Sequence, residues 1–187
     1  MSAGRALGAP LVWNVAGLLA DDPGATRDYE VAGATIDLGD DLRLAGPIEG
    51  HVRLARTNRG LIVSAAFETA IEAECSRCLR DIEIPIQVSI DEEALPSIDI
   101  HSGAAVAPEP GEDEPLRLTD HHELDLETAV REAIQLAEPI APLCREECPG
   151  LCTVCGERLE EGSHDHPIDD VDPRLEALRA FKPDNGS

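Results

Sequence analysis

From about Gly46 to Ile90 apolar residues recur at every second position, the period of half-buried β-strands. Val52 and Leu54 alternate with His51, Arg53 and Ala55, and Asn58-Arg59-Gly60 reads as a hairpin turn into the next run. There Leu61, Val63, Ala65, Phe67, Thr69 and Ile71 share one face, while Ser64, Glu68, Glu72 and Glu74 point the other way. A third run sets Ile82, Ile84, Ile86, Val88 and Ile90 against Glu83, Gln87 and Ser89. Pro85 within it predicts an edge strand or a bulge, because proline has no N–H to give to a ladder. Further on the period lengthens: Leu126, Ala129, Val130, Ala133, Ile134 and Ala137 fall on one side of a helix, with Asp125 as N-cap and Pro139 as the stop. The pattern predicts an α+β fold, an antiparallel β meander or partial barrel with a docked helix and a Cys-rich C-terminal segment.

Other stretches carry weaker signals. Residues 10–31 combine short apolar pieces (Leu11-Val12-Trp13, Leu18-Leu19) with the turn Asp22-Pro23-Gly24 and do not resolve into one element type. Between 91 and 127 acidic residues dominate, and 103–115 has no periodicity, the composition of a flexible linker. Asp172-Pro173-Arg174-Leu175 reads as the start of a short helix with Leu175, Leu178 and Phe181 on one side. These signals divide the chain into an N-terminal segment and β domain (1–98), an acidic linker (99–120), and a helix, Cys-rich stretch and short C-terminal helix (121–187).

Charge narrows the functional classes. Lys+Arg number 15 against 38 Asp+Glu, a net charge of −23 over 187 residues. Such a surface repels phosphate backbones. Trp13, Tyr29, Phe67 and Phe181 are the only aromatic rings apart from histidine, too few for a base-stacking platform. Any RNA contact has to be local, and Arg53, Arg56 and Arg59, with Arg77 and Arg80 nearby in space, are the candidates. No apolar run is long enough to span a bilayer, and the stretch from Arg5 to Ala20 imitates a signal peptide only weakly, with Asn14 interrupting it. The expectation is a soluble, cytoplasmic protein.

The cysteines change the picture most. They fall as Cys75-x2-Cys78 and Cys144-x3-Cys148-x3-Cys152-x2-Cys155, followed by His164 and His166. Paired Cys-x-x-Cys turns far apart in sequence signal zinc, because each turn aims two sulfurs at one point and tetrahedral zinc takes four thiolates or imidazoles. Three ligand sets compete: Cys75 and Cys78 with Cys152 and Cys155; the four cysteines of 144–155 alone; or two sites, Cys75/Cys78/Cys144/Cys148 and Cys152/Cys155/His164/His166. The third leaves no thiol idle, and one or two Zn2+ ions follow. A signal-free, helix-bearing acidic chain argues against a disulfide scaffold. A redox Cys75-x-x-Cys78 pair is the alternative, weakened because Cys75 ends a strand instead of opening a helix. Gly-x-Ser-x-Gly, phosphate-loop and His-Glu-x-x-His motifs are absent, and a four-ligand zinc leaves no open position for a reacting water. The chain reads as a binding or assembly protein more than an enzyme.

Cys75-Ser76-Arg77-Cys78-Leu79, Pro142-Leu143-Cys144, Cys148-Pro149-Gly150-Leu151-Cys152-x2-Cys155-Gly156 and Asp172-Pro173-Arg174-Leu175, in this order, resemble the bacterial YceD-like family of large ribosomal RNA subunit accumulation proteins. The resemblance implies a role in synthesis, processing or stability of the large ribosomal RNA, with the family pattern falling on Cys75, Cys78, Cys144, Cys148, Cys152 and Cys155. His164-Asp165-His166 departs from the pattern at the end of the second knuckle, where imidazole can replace thiolate on zinc. The expected partner is a large-subunit precursor or a basic ribosomal protein, the latter suiting the charge better than naked RNA.

Overall fold

A computed structural model of the chain describes residues 11–40, 42–107, 116–160, 162, 164, 166 and 174. The short helix expected from Asp172 and the tail beyond it lie outside these residues, apart from Arg174.

The elements run β1 (Val12–Asn14), α1 (Ala16–Ala20), β2 (Thr26–Ala34), β3 (Arg43–Leu44), β4 (Ile48–Arg56), β5 (Leu61–Glu74), β6 (Asp81–Leu95), β7 (Leu116–Arg117), β8 (Glu123–Asp125) and α2 (Glu127–Ala137). The main sheet has the order β2-β4-β5-β6-β7. It is antiparallel except where the short β7 runs alongside β6, and β3 extends the β4 side of β5. This sheet is open, with β2 at one edge, so the α+β expectation stands but the partial barrel does not. Closure would need β2 to reach β6 or β7, and no such pairing forms among the described residues.

The alternating pattern places the core. Leu61, Val63, Ala65, Phe67 and Ile71 of β5 are buried on one face with Val52 and Leu54 of β4 and Ile86 and Ile90 of β6. Pro85 lies in β6 opposite Ala70, and among the described residues only Ala94 and Leu95 of β6 find a further strand partner, so the proline sits on an edge. Gly50 of β4 faces Phe67, and a Cβ there would stand 2.1 Å from the Ala66 carbonyl oxygen. The strands approach closely only because the position has no side chain.

Helix α2 docks through Val130 and Ile134, both fully buried, together with Leu126 just ahead of it. The N-cap is Leu126, one residue later than the Asp125 expected, because the Leu126 carbonyl accepts the first helical bond from Val130 N–H; the Asp125 carboxylate accepts the Glu127 N–H at 2.8 Å from just outside the helix. These side chains belong to the same core as Leu11, Val15, Leu18 and Leu19. The N-terminal segment and 121–137 are further joined by β1–β8 pairing and by Leu126 N–H donating to the Leu11 carbonyl at 2.9 Å.

The stretch 99–120, expected as an acidic linker, has its C-terminal end packed on the sheet. Within that stretch Leu118 is buried and Leu116–Arg117 pair with β6, so its C-terminal part is built into the fold. Helix α2 is joined to the sheet through the buried side chains of the main core.

Candidate metal centre

The β5–β6 hairpin ends in Cys75-Ser76-Arg77-Cys78, and the loop that follows α2 returns to it. Ser76 N–H donates to the Pro142 carbonyl at 2.8 Å, and Arg77 Nη1 to the Cys148 carbonyl at 3.0 Å. Gly150, with φ +84, lies so close to Arg77 that a Cβ would sit 3.2 Å from the Arg77 carbonyl oxygen. These contacts bring Cys144 and Cys148 onto the hairpin tip. The Cys75 and Cys148 sulfurs are 3.8 Å apart, and those of Cys78 and Cys144 3.7 Å. Cys75, Cys78 and Cys148 are buried, and Ile82 and Leu151 pack around them.

A second group gathers Cys152, Cys155, His164 and His166. His164 Nδ1 stands 3.5 Å from the Cys155 sulfur, while its Nε2 lies 3.2 Å from the Arg158 carbonyl oxygen. A carbonyl can only accept, so Nε2 carries the proton and Nδ1 is left with a free lone pair, the arrangement of a metal-ligating imidazole. His166 Nε2 is buried without a hydrogen-bond partner.

The two Cys-x-x-Cys turns share one backbone design. Leu79 N–H donates to the Cys75 carbonyl at 2.9 Å, and Gly156 N–H to that of Cys152 at 2.9 Å. Cys75 N–H donates to Arg80, and Cys152 N–H to Glu157, at 2.8 and 2.7 Å. Both turns close on a left-handed residue, Leu79 at φ 53 and Gly156 at φ 75. Glycine accepts that conformation freely, whereas leucine is strained there. Leu79→Gly is therefore expected to raise stability by about 1 kcal/mol, read as a shift of the urea midpoint at unchanged slope.

Both donor sets fit zinc. Zn–S bonds of about 2.3 Å in a tetrahedron set sulfurs about 3.8 Å apart, and pairing with Zn–N of about 2.0 Å gives a mixed edge of about 3.5 Å. The sulfur separations also exceed by far the ~2.05 Å of a disulfide. Electrostatics favour a cation as well. Backbone N–H groups of Cys144, Cys78 and Arg77 hold the Cys75 thiol down, to about 6, against its burial. Burial and the surrounding sulfurs push Cys144 up to about 12. Burial also pushes Cys78 up. Four crowded sulfurs cannot all ionise unless a positive charge sits among them.

Among the three ligand sets offered by spacing, this geometry assembles the two-site arrangement, with Cys152 and Cys155 in a separate group from Cys75 and Cys78. Spacing does not point to the residues that brace the sites. Arg158 donates from Nε to the Cys78 carbonyl at 3.0 Å and from Nη2 to that of Leu79 at 3.2 Å. Glu160 joins Arg80, at 3.4 Å, to Arg145.

The five arginines do not form one patch. Arg56 and Arg59 lie at the start of the fourteen-residue β5, whereas Arg77 and Arg80 follow its far end, roughly 45 Å away along an extended strand. Arg56 is half-buried and donates to the carbonyls of Leu19, Thr57 and Gly60, which fixes the β4–β5 turn. Arg53 is exposed beside Asp28 at 3.9 Å.

A family model described as the large ribosomal RNA subunit accumulation protein YceD matches residues 63–182, a span that contains all but the first two residues of β5, together with β6, α2 and every cysteine and histidine of the two donor sets. The chain belongs to the YceD family. Curated relatives include an uncharacterized protein of Mycobacterium tuberculosis (strain ATCC 25618 / H37Rv), 33% identical over 128 residues, which cover 68% of this chain and 58% of the relative. An uncharacterized protein of Mycobacterium leprae (strain TN) is 33% identical over 130 residues, 68% of this chain and 55% of the relative. The match thus spans less than two thirds of the length of these relatives. No solved structure matches the chain. No helix among the described residues is long and apolar enough to cross a membrane.

Proposed function

We propose that this YceD-family protein is a zinc-stabilised, non-catalytic factor in the synthesis, processing or stability of large-subunit ribosomal RNA, and that it meets its particle chiefly through a basic ribosomal protein. The family match over 63–182 carries the reading. The Cys and His groups support the zinc: each offers four donors and so leaves no position for a reacting water. A redox role for Cys75 and Cys78 draws no support from their geometry, since both are buried and each sulfur faces one from the loop after α2.

The solvent face of the sheet favours a cationic partner over bare RNA. Glu49 lies directly opposite Glu68, Glu72 opposite Glu83, and Glu74 opposite Asp81. Like charges in direct opposition cost stability, a cost that a basic partner would relieve. Near the hairpin tip Glu72, Glu74, Asp81, Glu83 and Glu138 line an open groove of about 700 Å³ with Arg43.

The test is native pull-down from cells with RNA, proteins and bound metal measured on one sample. Large-subunit precursors, at least one basic ribosomal protein and zinc are expected together. In the double variant Glu49→Lys, Glu68→Lys the recovery of precursors falls at least about tenfold, since like-charge contacts cost several kcal/mol. Recovery unchanged in that variant, but lost when Arg53, Arg59, Arg77 and Arg80 become Glu, would place the contact on RNA instead.

A further inference from the structure

We infer that the two metal sites fill cooperatively, and that Arg158 is the positioning residue that couples them. The inference rests on the zinc reading above and adds that neither site reaches full affinity without the other.

The sites differ in how they are made. Cys75, Cys78, Cys144 and Cys148 come from two distant segments, so their geometry depends on how firmly the loop after α2 is held on the hairpin tip. Cys152, Cys155, His164 and His166 come from one short stretch, and Cys155 is exposed. The second group can assemble locally, whereas the first needs docking.

Arg158 belongs to both. Its carbonyl oxygen accepts the His164 Nε2 proton, the bond that leaves Nδ1 unprotonated and facing the Cys155 sulfur. Its guanidinium donates to the carbonyls of Cys78 and Leu79, the residues that close the knuckle of the first site. Its backbone also bridges to Leu151, which packs on Cys75, Cys78 and Cys148. A metal held by His164 Nδ1 thus fixes the ring, the ring fixes the Arg158 carbonyl, and the same residue's side chain fixes the Cys78 turn. Glu160, two residues on, ties Arg80 and Arg145 and so reinforces the same strap. Partners of metal ligands contribute about 10- to 100-fold to affinity, and that coupling acts equally in both directions.

Cobalt(II) titration of the full chain tests this, because a four-sulfur site and a two-sulfur, two-nitrogen site differ in their thiolate-to-cobalt charge-transfer and ligand-field bands. In the wild type both signatures are expected to rise in constant ratio up to two equivalents. With His164→Ala, His166→Ala, or with Cys152→Ser, Cys155→Ser as a second disabling pair, the four-sulfur site is expected to weaken about 10- to 100-fold. In an Arg158→Ala background the same substitutions change its affinity less than about twofold. That background dependence separates coupling from a merely structural loss. If disabling the second site leaves the four-sulfur affinity unchanged in the wild-type background, or the two signatures saturate one after the other, the coupling is overturned while two-site metal binding stands. Absence of any charge-transfer band would overturn both.

Discussion

Replacing Cys148 by Ser is expected to remove one of two zinc ions from the purified protein and to free the loop after α2 from the hairpin tip. A serine hydroxyl is not a zinc ligand of the thiolate kind, and the buried Cys75 and Cys78 and the half-buried Cys144 are left without the charge that balances them. Structural zinc contributes apparent binding energies of about 10–16 kcal/mol in small zinc domains, which sets the upper scale for what the loop loses. The effect should stay local. The core from Leu11 to Ile134 is closed by its own side chains and shares none with the thiol group. Limited proteolysis should therefore cut C-terminal to Pro139 far faster in Cys148→Ser than in the wild type, while the melting of the sheet shifts little. A variant that keeps two zinc ions per chain would remove Cys148 from the ligand set.

Gly50→Ala is expected to do the reverse, damaging the sheet and sparing the metal sites. The added Cβ would lie 2.1 Å from the Ala66 carbonyl oxygen and 2.8 Å from the Phe67 ring. Backbone cannot rotate away as a side chain can, so β4 must separate from β5 at the centre of the sheet. Overpacking in a well-packed core costs typically 1–3 kcal/mol, and a clash with main chain belongs at or above the top of that range, about 3 kcal/mol. For a chain of this size such a loss lowers the melting temperature by about 6–12 °C. Thermal unfolding followed by circular dichroism checks it, and a shift below about 2 °C would show that the strands yield more easily than their spacing implies.

The parts of the fold legible in the sequence are those where one physical pattern persists. In β5 the alternation runs from Leu61 to Ile71 and in β6 from Ile82 to Ile90, and in α2 the apolar residues return every three or four, so burial and element type are read together. Pro85 marked the edge for the same reason, through a missing N–H. The N-terminal elements and β7 and β8 are two to nine residues long and take their structure from partners distant in sequence. Val12 pairs with Asp125 and Leu116 with Ala94. Leu118 and Leu124 are single apolar residues in an acidic setting, where composition outweighed them, although Leu116-x-Leu118 is a short alternation that hinted at a strand.

At the site, Cys-x-x-Cys spacing showed which side chains gather but not how they divide. That division depends on where α2 delivers the loop behind it, a tertiary fact. Leu79 was the one missed local signal. It occupies in the first knuckle the place that Gly156 holds in the second, and the repeated backbone pattern puts both at positive φ. Arg158 and Glu160 act across about 80 residues of sequence, through main-chain carbonyls and a shared carboxylate that carry no sequence signature.

The most direct test of the zinc-stabilised reading is native mass spectrometry of the full chain, purified without added metal or chelator. A dominant species carrying two zinc ions is expected, reduced to one by Cys148→Ser and to one by Cys152→Ser, Cys155→Ser. A metal-free chain with all six thiols reacting rapidly would contradict it.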